Sequence, residues 1–119
     1  MDKQTGRYAA LTKRLVDSVL ATPGHTASEL RHAVLDRAAR LGGRRDTADK
    51  ARDGLPAQLA GYADTVALHA YEVTDEDLVA LQQAGNSDDV LFEVTVSAAL
   101  GAALGRLERG LSALRGEGG

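Results

Sequence analysis

Val94-Thr95-Val96-Ser97-Ala98-Ala99-Leu100-Gly101-Ala102-Ala103-Leu104-Gly105 is the longest nearly apolar run in this 119-residue chain, and its reading decides the fold. The run is apolar almost all round a helical wheel, whereas a surface helix would carry a polar face. It therefore predicts a helix that is central or lies at a subunit interface. Gly101 and Gly105 stand four residues apart and allow another backbone to approach closely. A glycine inside a helix costs about 1 kcal/mol against alanine, so packing must offset that loss. Outward from the run, Ser87 (or Asn86) caps the N-terminal end, with Asp88 and Asp89 in the first turn. Arg106, Arg109 and Arg115 mark the return to solvent, which gives a helix from about Asp88 to Arg115 and a frayed tail over 116–119.

Four shorter helices precede it, because apolar residues recur at three- and four-residue spacing. The first covers about Gln4 to Ala21, with Tyr8, Leu11, Leu15 and Val19 on one stripe, and Pro23-Gly24 ends it. The second opens at Thr26, where Thr26-Ala27-Ser28-Glu29 has the form of a capping box. Leu30, Val34, Ala38 and Leu41 form its buried stripe, and Gly42-Gly43 supplies the stop. Arg44 to Gly54 is polar and reads as a connection. A third helix begins near Leu55-Pro56, with proline in its first turn, and runs to about Tyr71 through Leu59, Tyr62, Val66 and His69. Thr74 caps a short fourth helix whose Asp75, Glu76 and Asp77 face the positive end of its dipole, and Gly85 closes it. No strand pattern is present, so the expectation is all-α, one domain over 1–119, with 1–3 and 116–119 frayed.

Composition bounds the partners. Fourteen Lys and Arg against seventeen Asp and Glu leave a formal charge of −3, which gives no bulk attraction to nucleic acid or anionic membrane. The absence of cysteine excludes disulfides, thiolate metal sites and thiol redox chemistry, and fits a reducing cytoplasm. The N-terminus lacks the apolar stretch of a secretion signal. The run Val94–Gly105 is shorter than the roughly 20 residues that span a bilayer. With one Phe, three Tyr and no Trp, the core must rest on many close helix contacts, and association between copies would bury more surface. A soluble, cytoplasmic homo-oligomer is expected, with no nucleic acid or membrane partner.

Candidate chemistry centres on Tyr62, Thr65 and His69, which share one helical face at i, i+3 and i+7. A histidine among hydroxyls can serve as a general base or proton shuttle. The alternative is a core histidine hydrogen-bonded to a neighbour. Glu29-Leu30-Arg31-His32 is a Glu-x-x-His step of the type found in di-metal bundles, which need two such steps and two further glutamates. With only one step here, no metal site is expected, and His25 lies in the loop before it. Leu78 to Val96 has the outline of a helix-turn-helix, yet Ser87-Asp88-Asp89-Val90-Leu91-Phe92-Glu93 would repel phosphates. The basic residues Arg37, Arg40, Arg44, Arg45, Lys50 and Arg52 are interspersed with Asp36, Asp46, Asp49 and Asp53, a mixed-charge surface. No phosphate-cradling loop or nucleophile elbow is present, and no cofactor is expected.

Tyr62-Ala63-Asp64-Thr65-Val66-Ala67-Leu68-His69, then Val73-Thr74-Asp75-Glu76-Asp77-Leu78, then Ala84-Gly85-Asn86-Ser87-Asp88-Asp89-Val90-Leu91-Phe92-Glu93 resembles the AhpD-like superfamily. That group includes alkylhydroperoxidase D and γ-carboxymuconolactone decarboxylase. Its signature is Cys-x-x-Cys-x-x-x-His followed by a short helix, a glycine, a capped turn and a long Ala/Gly-rich helix. The resemblance covers about Leu55 to Arg115 and implies a helical bundle of five to six helices assembled as trimers or larger. On this chain the two cysteines fall on Tyr62 and Thr65, and His69 keeps the family residue. The peroxidase branch's acidic residue would fall near Lys50, flanked by Asp49 and Asp53. Without a thiolate to attack peroxide and a second thiol to resolve the product, peroxidase activity is lost. Two functions remain: a scaffold or regulatory, binding relative, and a cofactor-free enzyme with His69 as proton-transfer residue and Tyr62 and Thr65 positioning a small substrate.

Overall fold

A computed structural model describes residues 3–43 and 54–116, and among these the chain is helical without any strand. In order come α1 (Lys3–Ala21), α2 (Ser28–Gly42), α3 (Ala57–His69), a 3-10 turn over Ala70–Glu72, α4 (Asp75–Gln83) and α5 (Asp88–Leu114). The expected order of helices is therefore present, and the all-α class holds.

Several boundaries follow from side chains visible in the sequence. Ser87 Oγ accepts the Val90 N–H at 3.2 Å and starts α5. Thr74 and Asp77 form a reciprocal capping box at the head of α4, with the Asp77 N–H donating to Thr74 Oγ1 at 3.1 Å and the Thr74 N–H to Asp77 Oδ2 at 3.0 Å. At the far end of α4, the Gly85 N–H donates to the Gln82 carbonyl and the Asn86 N–H to the Leu81 carbonyl. That pair of bonds is a Schellman motif, and it holds Gly85 at φ +106°, where a side chain would be strained.

The core is built around the pairing of α2 with α5. Ser97, Gly101 and Gly105 recur every four residues on the buried face of α5. A methyl group built on Gly101 would overlap the Leu35 carbonyl oxygen, and one on Gly105 would overlap that of Ala39. The approach is mutual, since a methyl on Gly42 would strike the carbonyl of Ala102. Rising numbers pair with rising numbers, so α2 and α5 run parallel with their backbones in direct contact. Ser97 is fully buried at the start of this seam, where its hydroxyl has no hydrogen-bond partner. Val34, Ala38, Leu59, Ala63, Leu91, Val94 and Ala98 complete the core with α3. As a whole, α5 is long and apolar enough to cross a membrane, a test that core helices also pass; here its small-residue face is covered by α2.

Three expectations need correction. Thr26 and Glu29 do not form a capping box: Ala27 is the N-cap of α2, in extended backbone and without a side-chain cap bond. The Thr26 hydroxyl and N–H both donate to Glu93 Oε1 instead, at 2.6 and 2.8 Å, and the His25 N–H donates to Glu93 Oε2 at 2.7 Å. A carboxylate from α5 thus offers the loop charge-assisted bonds stronger than the local box could supply. The stripe expected for α1 is also only partly buried. Val16, Val19 and Leu20 pack with Leu35, Leu100 and Leu104, but Leu11 and Leu15 are each 52% exposed. Helical periodicity identifies an apolar face without saying what covers it. Leu41, expected in the stripe of α2, is likewise exposed. The Tyr8 side chain and the connection 44–53 lie outside the described residues.

Candidate functional site

The Tyr62–Thr65–His69 face begins on a regular helix and ends where that helix stops. Pro56 is the N-cap of α3 rather than a residue of its first turn. Thirteen residues later His69 adopts φ −148° and ψ +57°, and the chain tightens into the 3-10 turn. The i+7 relation presumes unbroken helical dihedrals, so it fails at His69. Tyr62 and Thr65 are half-buried as expected, whereas His69 is exposed at the end of α3. Its Nδ1 lies 3.4 Å from the Tyr71 hydroxyl, with the two rings edge to face at 5.9 Å. The geometry brings Tyr62 and Thr65 together and leaves the imidazole outside their group.

Both hydroxyls on that face have assigned roles. Thr95 Oγ1 donates to the Leu91 carbonyl at 2.6 Å, so its single proton is spent. The 2.6 Å contact between the Tyr62 hydroxyl and Thr95 Oγ1 must then have Tyr62 as donor. The result is a relay from α3 into the α5 backbone. Thr65 Oγ1 donates to the Gly61 carbonyl at 3.1 Å, one turn back on its own helix. Neither hydroxyl retains a proton to give to a substrate, and both oxygens keep lone pairs to accept one.

Between α3 and α4 lies a shallow, open cleft of about 280 Å³. Gln58, Gly61, Tyr62 and Thr65 line it from α3, and Asp77 and Leu81 from α4. Its size is at the lower edge of small-molecule sites, which run from about 300 Å³ upward. His69 is not part of its wall.

Three arginines tie the helices together. Arg31 is buried, and its Nη1 donates to the carbonyls of Val19 and Thr22 at 2.8 and 2.7 Å. With the Ser28 hydroxyl on the Leu20 carbonyl at 2.6 Å, α2 closes the C-terminal end of α1. Arg37 meets Asp64 through two parallel bonds of 2.5 and 2.8 Å, joining α2 to α3. Arg106 donates to the Ala67 carbonyl at 2.8 Å near the end of α3. Sequence reasoning singled out neither Arg31 nor the Arg37–Asp64 pair. The available signal for Arg31 was a cation three residues before Val34, on the face that carries the stripe.

Glu93 is strongly perturbed by its surroundings. The Thr26 hydroxyl above all, and then the His25 N–H, hold its carboxyl down to about 2. His25 Nε2 stands 3.6 Å from Asp89, and His32 Nε2 stands 3.4 Å from Asp36 on exposed surface. Glu29 is exposed, and among the described residues no three metal-ligating side chains converge. Where a helix-turn-helix outline was legible, Leu91 and Val94 of its second helix are buried in the core. Arg44, Arg45, Lys50 and Arg52, and the position expected for the family's acidic residue, fall outside the described residues.

The chain matches no protein-family model, no curated protein and no solved structure.

Proposed function

We propose that this chain is a self-associating helical binding domain of the AhpD-like kind, with the redox pair lost and no catalysis of its own. The observation that carries this reading is the fate of the two positions where the resemblance places cysteines. Tyr62 spends its proton on Thr95 and ties α3 to α5, and Thr65 spends its proton on Gly61. The one acid–base side chain of the set, His69, stands in solvent beyond the cleft. A wall of committed hydroxyls, whose neighbouring Asp77 carboxylate is tied to the head of α4 by the Thr74 N–H, suits holding a small molecule better than transforming one. The cysteine-free composition fits a reducing cytoplasm.

Self-association is supported by apolar surface that the single chain leaves open. Leu11 and Leu15 project from α1, and Phe92 is 69% exposed near the start of α5. Following the family pattern, the assembly is a trimer or a hexamer. Light scattering on purified protein at micromolar concentration should return such a mass, and a monomer would remove the assembly half of the proposal. His69→Ala should leave small-molecule binding in the cleft unchanged; loss of binding would bring the imidazole back into the site and revive the enzyme reading.

A further inference from the structure

We infer that the α3–α4 cleft selects a small organic ammonium ion: a primary amine with a short apolar tail. The inference rests on the binding reading above and names the ligand class of the same cleft.

The first observation is the donor and acceptor balance of the lining. The Tyr62 and Thr65 hydroxyls have given their protons to Thr95 and to the Gly61 carbonyl, so both are restricted to accepting. Asp77 contributes a carboxylate whose Oδ2 accepts the Thr74 N–H, and no cation among the described residues pairs with it. Gln58 can present either end of its amide. A ligand rich in N–H donors satisfies most of this set, while a carboxylate or phosphate would find a side-chain donor only at the Gln58 amide.

The second observation is the charge of the surroundings. Between residues 54 and 105 the chain carries eight Asp and Glu and not one Lys or Arg. Those 52 positions supply both walls of the cleft, where Asp77 is the charged residue of the lining, while Asp64 is paired with Arg37. Charge of one sign around a concave site raises the local concentration of the opposite ion. The third observation is the apolar share of the lining. Ala57, Ala80 and Leu81 accompany the polar groups, and Tyr62 adds an aromatic side chain to the lining. At about 280 Å³ the cleft admits an ammonium with a tail of a few carbons.

The test compares three probes of one shape and different charge, isobutylamine, isobutanol and isobutyrate, titrated at pH 7 into the intact protein followed by amide NMR. The expected result is saturable shifts from isobutylamine at amides of Gln58, Gly61, Thr65 and Ala80, at least tenfold tighter than for the alcohol, and none from isobutyrate. Asp77→Asn keeps an oxygen for the Thr74 N–H and should weaken the amine tenfold or more with helicity unchanged. Gly61→Leu places a side chain where a Cβ meets nothing within 4 Å, so it should fill the cleft and abolish binding without disturbing the fold. Equal affinity for amine and alcohol, or an undiminished Asp77→Asn, would overturn the cation inference while leaving a small-molecule cleft. Silence from all three probes would overturn both. Saturable shifts confined to other faces of the molecule would also refute the assignment to this cleft.

Discussion

The two longest helices, α1 with 19 residues and α5 with 27, are used in opposite ways. α5 is lined with Ser97, Gly101 and Gly105 and brings its backbone against that of α2, so the contact is continuous over several turns. α1 carries larger apolar side chains, yet it is held mainly at its C-terminal end, by Val16, Val19 and Leu20 and by the bonds from Ser28 and Arg31. The side chains with more surface to bury achieve less burial. Small residues allow two backbones to come together and add many short-range attractions along the seam. Leucines at helical spacing need a partner of matching shape, and among the described residues α1 finds one at its C-terminal end.

The contrast can be broken most severely on the α5 side. Gly101→Val or Gly105→Val forces a branched side chain into the Leu35 or Ala39 carbonyl, and each should destabilise by about 3 kcal/mol or more in urea unfolding. Gly110 on the same helix has nothing within 4 Å of a built Cβ, so Gly110→Ala should stabilise by up to about 1 kcal/mol. Two glycines of one helix would then shift stability in opposite directions. Equal effects at Gly105 and Gly110 would mean that the seam is not backbone against backbone.

A smaller effect is expected at the latch between the two regions, where Glu93 of α5 holds the loop that follows α1. Its carboxyl is lowered from 4.5 to about 2, chiefly by the Thr26 hydroxyl. A depressed acid stabilises the fold above its unfolded value, and that contribution is lost as pH falls from about 4.5 toward 2. Glu93→Gln should cost about 1–2 kcal/mol at pH 7 and flatten the fall in stability across that acid window. An unchanged acid limb in chemical denaturation would show that the latch is not what titrates.

The smallest effect on the folded monomer is expected on α1. Leu11→Lys with Leu15→Lys removes surface that is already half in water, so monomer stability should move by less than about 0.5 kcal/mol. The same pair should lower the assembled mass in light scattering if this face meets another copy. An unchanged mass would place the contact elsewhere, with exposed Phe92 as the next position to change.

Much of the fold was legible because it rests on local chemistry. The Thr74 cap, the Ser87 cap and the Gly85 stop each depend on residues three or four apart, and all three are present. The candidate site was half legible. Tyr62 and Thr65 share a face because one turn of helix separates them, while His69 leaves it because the backbone departs from helical dihedrals at that residue. Thr26 shows a different failure: its spacing to Glu29 is right for a box, but Glu93, 67 residues away, is the stronger acceptor. Arg37 with Asp64, and Arg31 with the end of α1, are also pairings between distant positions that no local pattern announces.

By itself the amino-acid order determined the helical class, most helix boundaries, the small-residue seam of α5 and the absence of thiol chemistry, since each follows from residues within a turn or from composition alone. Only the tertiary structure decided which apolar stripe is covered, where Glu93 spends its charge and which hydroxyls retain a proton. Those outcomes depend on groups brought together from distant parts of the chain, and competition among acceptors is resolved only once α2, α3 and α5 have packed.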